Sequence, residues 1–290
     1  MDAKRAAVLR HSNYFEEMQA VVSVGHSNMA EPATRTRDYH FHNNYEIILF
    51  LQGNAEAYVE QSRYPLERGS LFVVNSREIH KIHTLDGSSY ERIVIHFPPV
   101  LIQEMNTRRT DLLSCFHSHS PGSGNAVLLS GDQIDIFLTL AGKLSAALTD
   151  KNYGQDLLVN AYLAEILIMI HRIFEQTGAL QALPIGTVVS KIMEYVDEHL
   201  GEKISLDRVA KDFSLSKYYL GHLFRTQTGG SLYHYILLKK IAAARQILSD
   251  GGSVEEAAEQ TGFMDYNNFI RTFKRYTGVT PGRFRKLPRQ

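Results

Sequence analysis

The sequence predicts an α+β protein in which a β-barrel comes first, a helical segment follows, and an all-α domain closes the chain. Three observations predict this. Residues from about 20 to 100 are rich in Val, Ile, Tyr and Phe, in short alternating runs broken by Gly and Pro, the period-two pattern of half-buried strands. Asp132–Leu148 and Gln155–Gln176 carry apolar residues at three- and four-residue steps, as amphipathic helices do. Everything after Thr187 reads as helical segments joined by short turns and contains an internal repeat, Leu223–Gly229 aligning with Thr272–Gly278 at an offset of 49. The expected domains are residues 1–125, 126–183 and 187–290.

Composition bounds the function. The 290 residues have room for more than one core, and a net charge of zero conceals an asymmetry. Residues 1–185 carry 15 Lys and Arg against 20 Asp and Glu, whereas residues 186–290 carry 16 against 11. From Tyr266 onward there are seven basic residues and no acidic one, a surface suited to phosphates. The longest strongly apolar stretch, Ala161–Ile170, is interrupted by Glu165 and is too short for a membrane span. The N-terminus, with Asp2, Lys4 and Arg5, does not read as a signal peptide. Cys115, the single cysteine, has no partner for an internal disulfide and reads as a small packed side chain in a reducing, cytoplasmic setting.

In chain order, Tyr45–Leu51, Ala55–Glu60, Ser70–Val74 and Arg92–Phe97 are the expected strands. Before and among them lies His40-x-His42-x3-Glu46-x6-Gly53, followed by Gly69 and His80. This spacing resembles the first motif of the cupin barrel. The second motif departs from the pattern, with Asn75 and Arg77 where Pro and Gly are expected and Thr84 where Asn is expected. The resemblance implies a cupin-like barrel and leaves three readings of its polar residues. They line a pocket for a small metabolite, hold a divalent metal through His40, His42, Glu46 and His80, or are hydrogen-bonded and inert. Arg92, Val94 and His96 share one strand face; if it points inward, Arg92 and His96 join His40, His42, Glu46 and His80 as ligand-binding candidates. In the two following helices Ile166, Leu167, Ile170, Ile173 and Phe174 offer an apolar stripe, for a dimer or for an ordinary intramolecular helix pair. Gly178–Gly186, with Pro184, reads as a linker.

The repeat in the last hundred residues is a pair of helix-turn-helix units. In the first, Ser205 caps a short helix with Val209 and Ala210 on its apolar face, Phe213-Ser214-Leu215 makes the turn, and Ser216 caps a second helix that buries Leu220, Leu223 and Phe224. Lys217, Tyr218, Gly221, His222 and Arg225 fall on the opposite side and are the candidate DNA contacts. In the second, Ser253 and Glu256 form a capping box, Gly262 takes a left-handed turn, Phe263 is core, and Asp265 caps a helix that buries Phe269 and Phe273. Its candidate DNA contacts are Tyr266, Asn267, Ile270, Arg271 and Lys274; Asn and Arg read base edges, Lys and Arg hold phosphates. Thr280-Pro281 starts a last short helix.

Ile204–Gly229, Ala243, Arg245, Leu248, Val254, Glu256, Ala258, Gly262-Phe263, Phe269, Phe273-Lys274, Gly278, Thr280-Pro281 and Phe284-Arg285 resemble the AraC/XylS family of bacterial regulators in order and spacing. The resemblance implies a long helix, here Leu232–Leu248, that sets two recognition helices on one DNA face, about 34 Å apart. It implies a regulator rather than an enzyme, with promoter DNA, RNA polymerase and a second copy of the chain as partners, the two helices after the barrel as dimerisation helices, and a small metabolite, such as a sugar, in the barrel. The other reading of the barrel is a metal-dependent cupin enzyme with an accessory helical domain. Gly221 and His222 depart from the longer polar side chains common in the family, and Gly weakens a helix by about 1 kcal/mol relative to Ala.

Overall fold

The structure is a computed structural model and describes residues 22–28, 38–85 and 90–286. Its first half is two antiparallel sheets folded face to face, with strands β1 (Ser23–Asn28), β2 (Tyr45–Gln52), β3 (Ala55–Val59), β4 (Ser62–Pro65), β5 (Ser70–Val74), β6 (His80–Thr84) and β7 (Glu91–Phe97). Two short helices, α1 (Pro99–Gln103) and α2 (Ser114–His117), lead to β8 (Ala126–Leu128). One sheet runs β1-β7-β2-β5-β8; the other runs β6-β3-β4 and is closed by β9 (Leu183–Pro184). The expected linker is therefore part of the barrel: β9 pairs with β4, and Leu180 and Ala182 pack against the interior. Periodicity could not show this, because a two-residue edge strand carries no alternation.

Strand parity divides the larger sheet cleanly. Ile47, Leu49 and Leu51 of β2, Leu71 and Val73 of β5, and Ile93, Ile95 and Phe97 of β7 face outward into one core. Ile48, Phe72 and Val94 face inward and meet Ala57, Val59 and Tyr64 of the second sheet. The outer core is covered by α3 (Gly131–Thr149), started by a Ser130–Gln133 capping box, and α4 (Gln155–Thr177). The stripe with dimer potential is used here: Ile166, Leu167, Ile170 and Ile173 are buried against the sheet, and Phe174 packs beside them. Fully burying such side chains is worth roughly 1.5–3 kcal/mol each, ample reason for the chain to keep them. By length and composition alone α4 could cross a membrane; one face of it is buried on the sheet, while Leu157, Leu158 and Ile168 stay exposed. Cys115 is buried in the same core, and burial pushes its thiol up to about 12, as befits a packed side chain.

The second half comprises α5 (Thr187–Glu198), α6 (Leu206–Asp212), α7 (Lys217–Thr228), α8 (Leu232–Ser249), α9 (Val254–Gln260), α10 (Tyr266–Thr277) and α11 (Pro281–Phe284). Ser205, Ser216, Ser253 and Asp265 all cap as the sequence suggests, each side chain accepting from a backbone N–H in the first turn. The two turns are equivalent: Gly262 has φ +63°, and Ser214, at the matching place in the first unit, is held at φ +55°. Between the units runs α8. Leu232, Tyr235, Ile236 and Leu238 join the core of the first unit; Ile241, Ala244 and Leu248 join that of the second. Where the two cores meet, the buried Lys240 ammonium donates to the carbonyls of Leu200 (3.0 Å), Glu202 (2.7 Å) and Thr261 (2.7 Å).

Candidate DNA-binding surface and effector site

The N-terminal caps of α7 and α10 fix which residues of each recognition helix point outward. Lys217, Tyr218, His222 and Arg225 on α7, and Tyr266, Asn267, Arg271 and Lys274 on α10, are exposed. Gly221 is half-buried, and Ile270 packs in part against the core of the second unit rather than standing free on the surface. A helical period of 3.6 leaves such flanking positions ambiguous. Tyr219 and Asn268 are exposed beside the named residues and escape a wheel reading for the same reason. Lys217 pairs with Asp207 at 2.9 Å on the open surface, an exchangeable contact of little intrinsic worth. Arg225, Arg271 and Lys274 provide exposed cationic groups for phosphate or base contact.

In the barrel, Glu46 starts the inward face of β2 and lies in register with His96 of β7. Residues 38–43 run along the rim with bends at Tyr39 and Asn43, and at the bridge between them His40 and His80 exchange backbone hydrogen bonds (His40 N–H to His80 O 3.1 Å, His80 N–H to His40 O 2.9 Å). This brings four imidazoles around one buried carboxylate. The Glu46 carboxylate lies 3.0 Å from His42 Nε2, 2.8 Å from His80 Nε2 and 3.1 Å from His96 Nε2. His40 lies close by, its ring tilted against that of His80 at 4.4 Å. Burial would raise the Glu46 carboxyl, but His42 foremost, with His80 and His96, outweighs it and holds the group well below the usual carboxylate range. Burial drives His40 and His42 down, whereas Glu46 outweighs burial at His80 and raises it.

Of the six barrel candidates, five converge and one does not. Arg92 does share the inward face with Val94 and His96, but four residues of strand separate it from His96, about 13 Å. The apolar layer of Ile48, Phe72 and Val94 lies in that interval, and Arg92 instead places its guanidinium 5.4 Å from the Tyr90 ring. Face parity is visible in the sequence; depth along the barrel is not. A cavity of about 10 Å³ lies beside His80 among Ile48, Ala57, Val59, Phe72 and Lys81, room for one water at most.

The rim segment also meets the helical half. Tyr39 is fully buried between Tyr58 of the barrel and Tyr235 of α8, and its carbonyl accepts from His234 Nε2 at 2.8 Å. The Arg245 guanidinium lies 4.7 Å from the Phe41 ring and donates to Asn43 Oδ1 and to the Ser76 carbonyl. Elsewhere in the interface Lys239 bridges Glu60 and Asp197, both at 2.8 Å, and Tyr58 donates to the Gln227 carbonyl at the end of α7.

Residues 28–189 match the family model described as an AraC-like ligand binding domain, and residues 209–287 match a helix-turn-helix domain. The chain belongs to the AraC/XylS family. Among curated relatives, the probable transcriptional regulator LumQ of Photobacterium leiognathi is 24% identical, covering 88% of this chain and 94% of its own. The HTH-type transcriptional activator RhaR of Salmonella typhi is 24% identical and covers 98% of both chains. Among solved structures, fatty-acid-bound ToxT from Vibrio cholerae is 13% identical over 92% of this chain and 95% of its own, with a TM-score of 0.38. This AraC/XylS member is thus a DNA-binding transcription regulator with a ligand-binding domain, and the relatives are regulators rather than enzymes.

Proposed function

We propose that this regulator holds double-stranded promoter DNA through Lys217, Tyr218, His222 and Arg225 of α7 and Tyr266, Asn267, Arg271 and Lys274 of α10. We place its effector site at His40, His42, Glu46, His80 and His96, with occupancy changing the grip on DNA. The observation that carries the reading is the alternation along residues 38–43. Tyr39, Phe41 and Asn43 touch α8 and the residues around it, while His40 and His42 face the Glu46 cluster. The two sets of contacts alternate along one backbone, so an effector that repositions the two histidines acts on a segment shared with the DNA-binding half. A conformational response requires only that the effector bind one arrangement better than another.

A sugar, the effector class the family resemblance implies, would have to part the imidazoles. The candidate ligand atoms lie within 4.8 Å of one another in two groups, His40, His42, His80 and His42, Glu46, His96, narrower than a sugar ring with its hydroxyls. The deciding experiment is a gel-shift titration on DNA flanking the chain's own gene, with and without candidate effectors. Arg271→Ala is expected to weaken specific binding by about 1–3 kcal/mol. Unchanged binding would refute the assignment of α10 as a reading helix. The same titration with RNA polymerase added, and sedimentation of the free protein, test recruitment of polymerase and the proposed cytoplasmic homodimer.

A further inference from the structure

We infer that Gly221 is a specificity-determining residue, a notch on α7 that admits the 5-methyl group of a thymine in the DNA major groove. The inference rests on the reading of α7 as a recognition helix and names the base feature that this helix selects. Its first ground is that nothing inside the chain requires a glycine there. Gly221 stands mid-helix without a positive φ, and a Cβ built on it would meet no atom within 4 Å. Gly229 and Gly262 differ: each has a positive φ, and a Cβ on either would run into neighbours such as His83 and Glu202. Glycine in a helix interior is destabilising relative to alanine, because it gives up more backbone freedom. A destabilising residue that the fold does not need is explained by a partner that must come close.

Its surroundings say what comes close. Lys217 and Arg225 stand one helical turn before and after Gly221, about 6 Å along the axis on either side. Both are exposed cations, suited to the phosphates that flank a base. Tyr218, 84% exposed, and His222 border the notch, their ring planes 21° apart and their centroids 6.4 Å apart. Aromatic rings at the edge and a bare Cα–H floor make an apolar recess. The thymine methyl is the apolar group that base edges present in the major groove. The second unit is built differently. The repeat sets Ile270 in the place of Gly221, Asn267 in that of Tyr218 and Arg271 in that of His222. Asn and Arg are the bidentate readers of adenine and guanine edges; Tyr and His are not. Of the two helices, α10 reads by hydrogen bonds, whereas α7 reads by shape and has room for a methyl at its centre.

The test uses the full chain. Selection from random duplexes gives the preferred site of the wild type and of Arg271→Ala; the half that loses its sequence preference in the variant belongs to α10. Each thymine of the wild-type site is then replaced singly by deoxyuridine, which removes only the methyl. One replacement, in the half that Arg271→Ala leaves intact, is expected to weaken wild-type binding about fourfold, the worth of one buried methylene-sized group. Gly221→Ala is expected to bind the thymine site about tenfold more weakly, since its Cβ and that methyl claim the same space. On the deoxyuridine site it should regain most of that loss, so the two changes are coupled rather than additive. The same variant should unfold at a higher urea concentration than wild type, so the lost binding is not misfolding. Equal preference for the methyl in wild type and Gly221→Ala would overturn the inference. So would a coupled thymine in the Arg271 half, or a loss spread evenly over all sequences, the mark of a phosphate contact. A selected site with no methyl effect overturns this inference alone, whereas failure to select any site overturns the assignments of α7 and α10 with it.

Discussion

Lys240→Met removes a cation that fastens the two helix-turn-helix units to each other. Its ammonium donates to Leu200 and Glu202 on one side and Thr261 on the other, at 2.7–3.0 Å. Thr261's carbonyl is buried and those of Leu200 and Glu202 part-buried, so leaving all three unsatisfied costs about 1–3 kcal/mol each, or roughly 3–9 kcal/mol gross as an upper range. Against this, a methionine need not be desolvated as a charge; that desolvation is what pulls the Lys240 ammonium down to about 8 and is worth several kcal/mol. The net expectation is a loss of about 3 kcal/mol. In a domain of roughly a hundred residues this lowers Tm by about 12–24 °C. Urea unfolding followed by dichroism reads the stability. A gel shift on targets with one or two base pairs inserted between half-sites reads the geometry, since untethered units should tolerate the wrong spacing better. Stability within 0.5 kcal/mol of wild type, with spacing discrimination unchanged, would refute the role assigned to this lysine.

Two further outcomes follow from the same half and its interface. Ser214→Gly should gain about 0.5–1 kcal/mol by relieving the left-handed backbone, whereas Gly262→Ala should lose at least about 2 kcal/mol, because its Cβ would run into the Glu202 carbonyl and come within 2.6 Å of Lys240 Nζ. Denaturation of the pair checks both; a stabilising Gly262→Ala would disprove the equivalence of the turns. Burial pulls the Lys81 ammonium down to about 8, and it has no hydrogen-bond partner, only the rings of Tyr39 and Tyr58 at 5.2 and 5.8 Å. The unfolded chain, with an ordinary lysine near 10.4, binds more protons between these values. The stability Lys81 contributes is therefore present above about pH 10.4 and lost as pH falls through about 8. Lys81→Met should raise Tm at pH 7, with the difference from wild type shrinking toward pH 10. A variant less stable than wild type at pH 7 would contradict this.

Local chemistry was legible in the sequence and distance was not. The four caps, the turn at Gly262 and the exposure of the named residues on α7 and α10, Gly221 and Ile270 excepted, follow from patterns spanning a few residues. Strand parity likewise put Arg92 and His96 on the inner face, yet their separation along the barrel, and the apolar layer between, depend on the opposing sheet. The stripe on α4 was visible as amphipathic; that it faces its own sheet rather than a second copy is a tertiary fact that periodicity cannot carry. The burial of Lys240 and Arg245 is not legible locally, because groups that bury them lie about 40 and 200 residues away in the chain. The turn at Phe213-Ser214-Leu215 was legible, but not its left-handed backbone, since serine seldom adopts the conformation that the place of Ser214 in the repeat imposes.

The rim segment is a strip with a phase. Odd positions 39, 41 and 43 belong to the helical half and even positions 40 and 42 to the histidine cluster, so the residue count sets which side chain meets which neighbour. A single inserted residue between Tyr39 and His42 would exchange the two vocabularies, aiming an aromatic ring at Glu46 and an imidazole at Arg245. Two inserted residues would restore the sense and shift only the reach. Chimeras that graft this DNA-binding half onto another barrel inherit that rule: the donor strip must arrive in step, aromatic on the odd beat, or Arg245 and the Glu46 cluster each meet the wrong side chains.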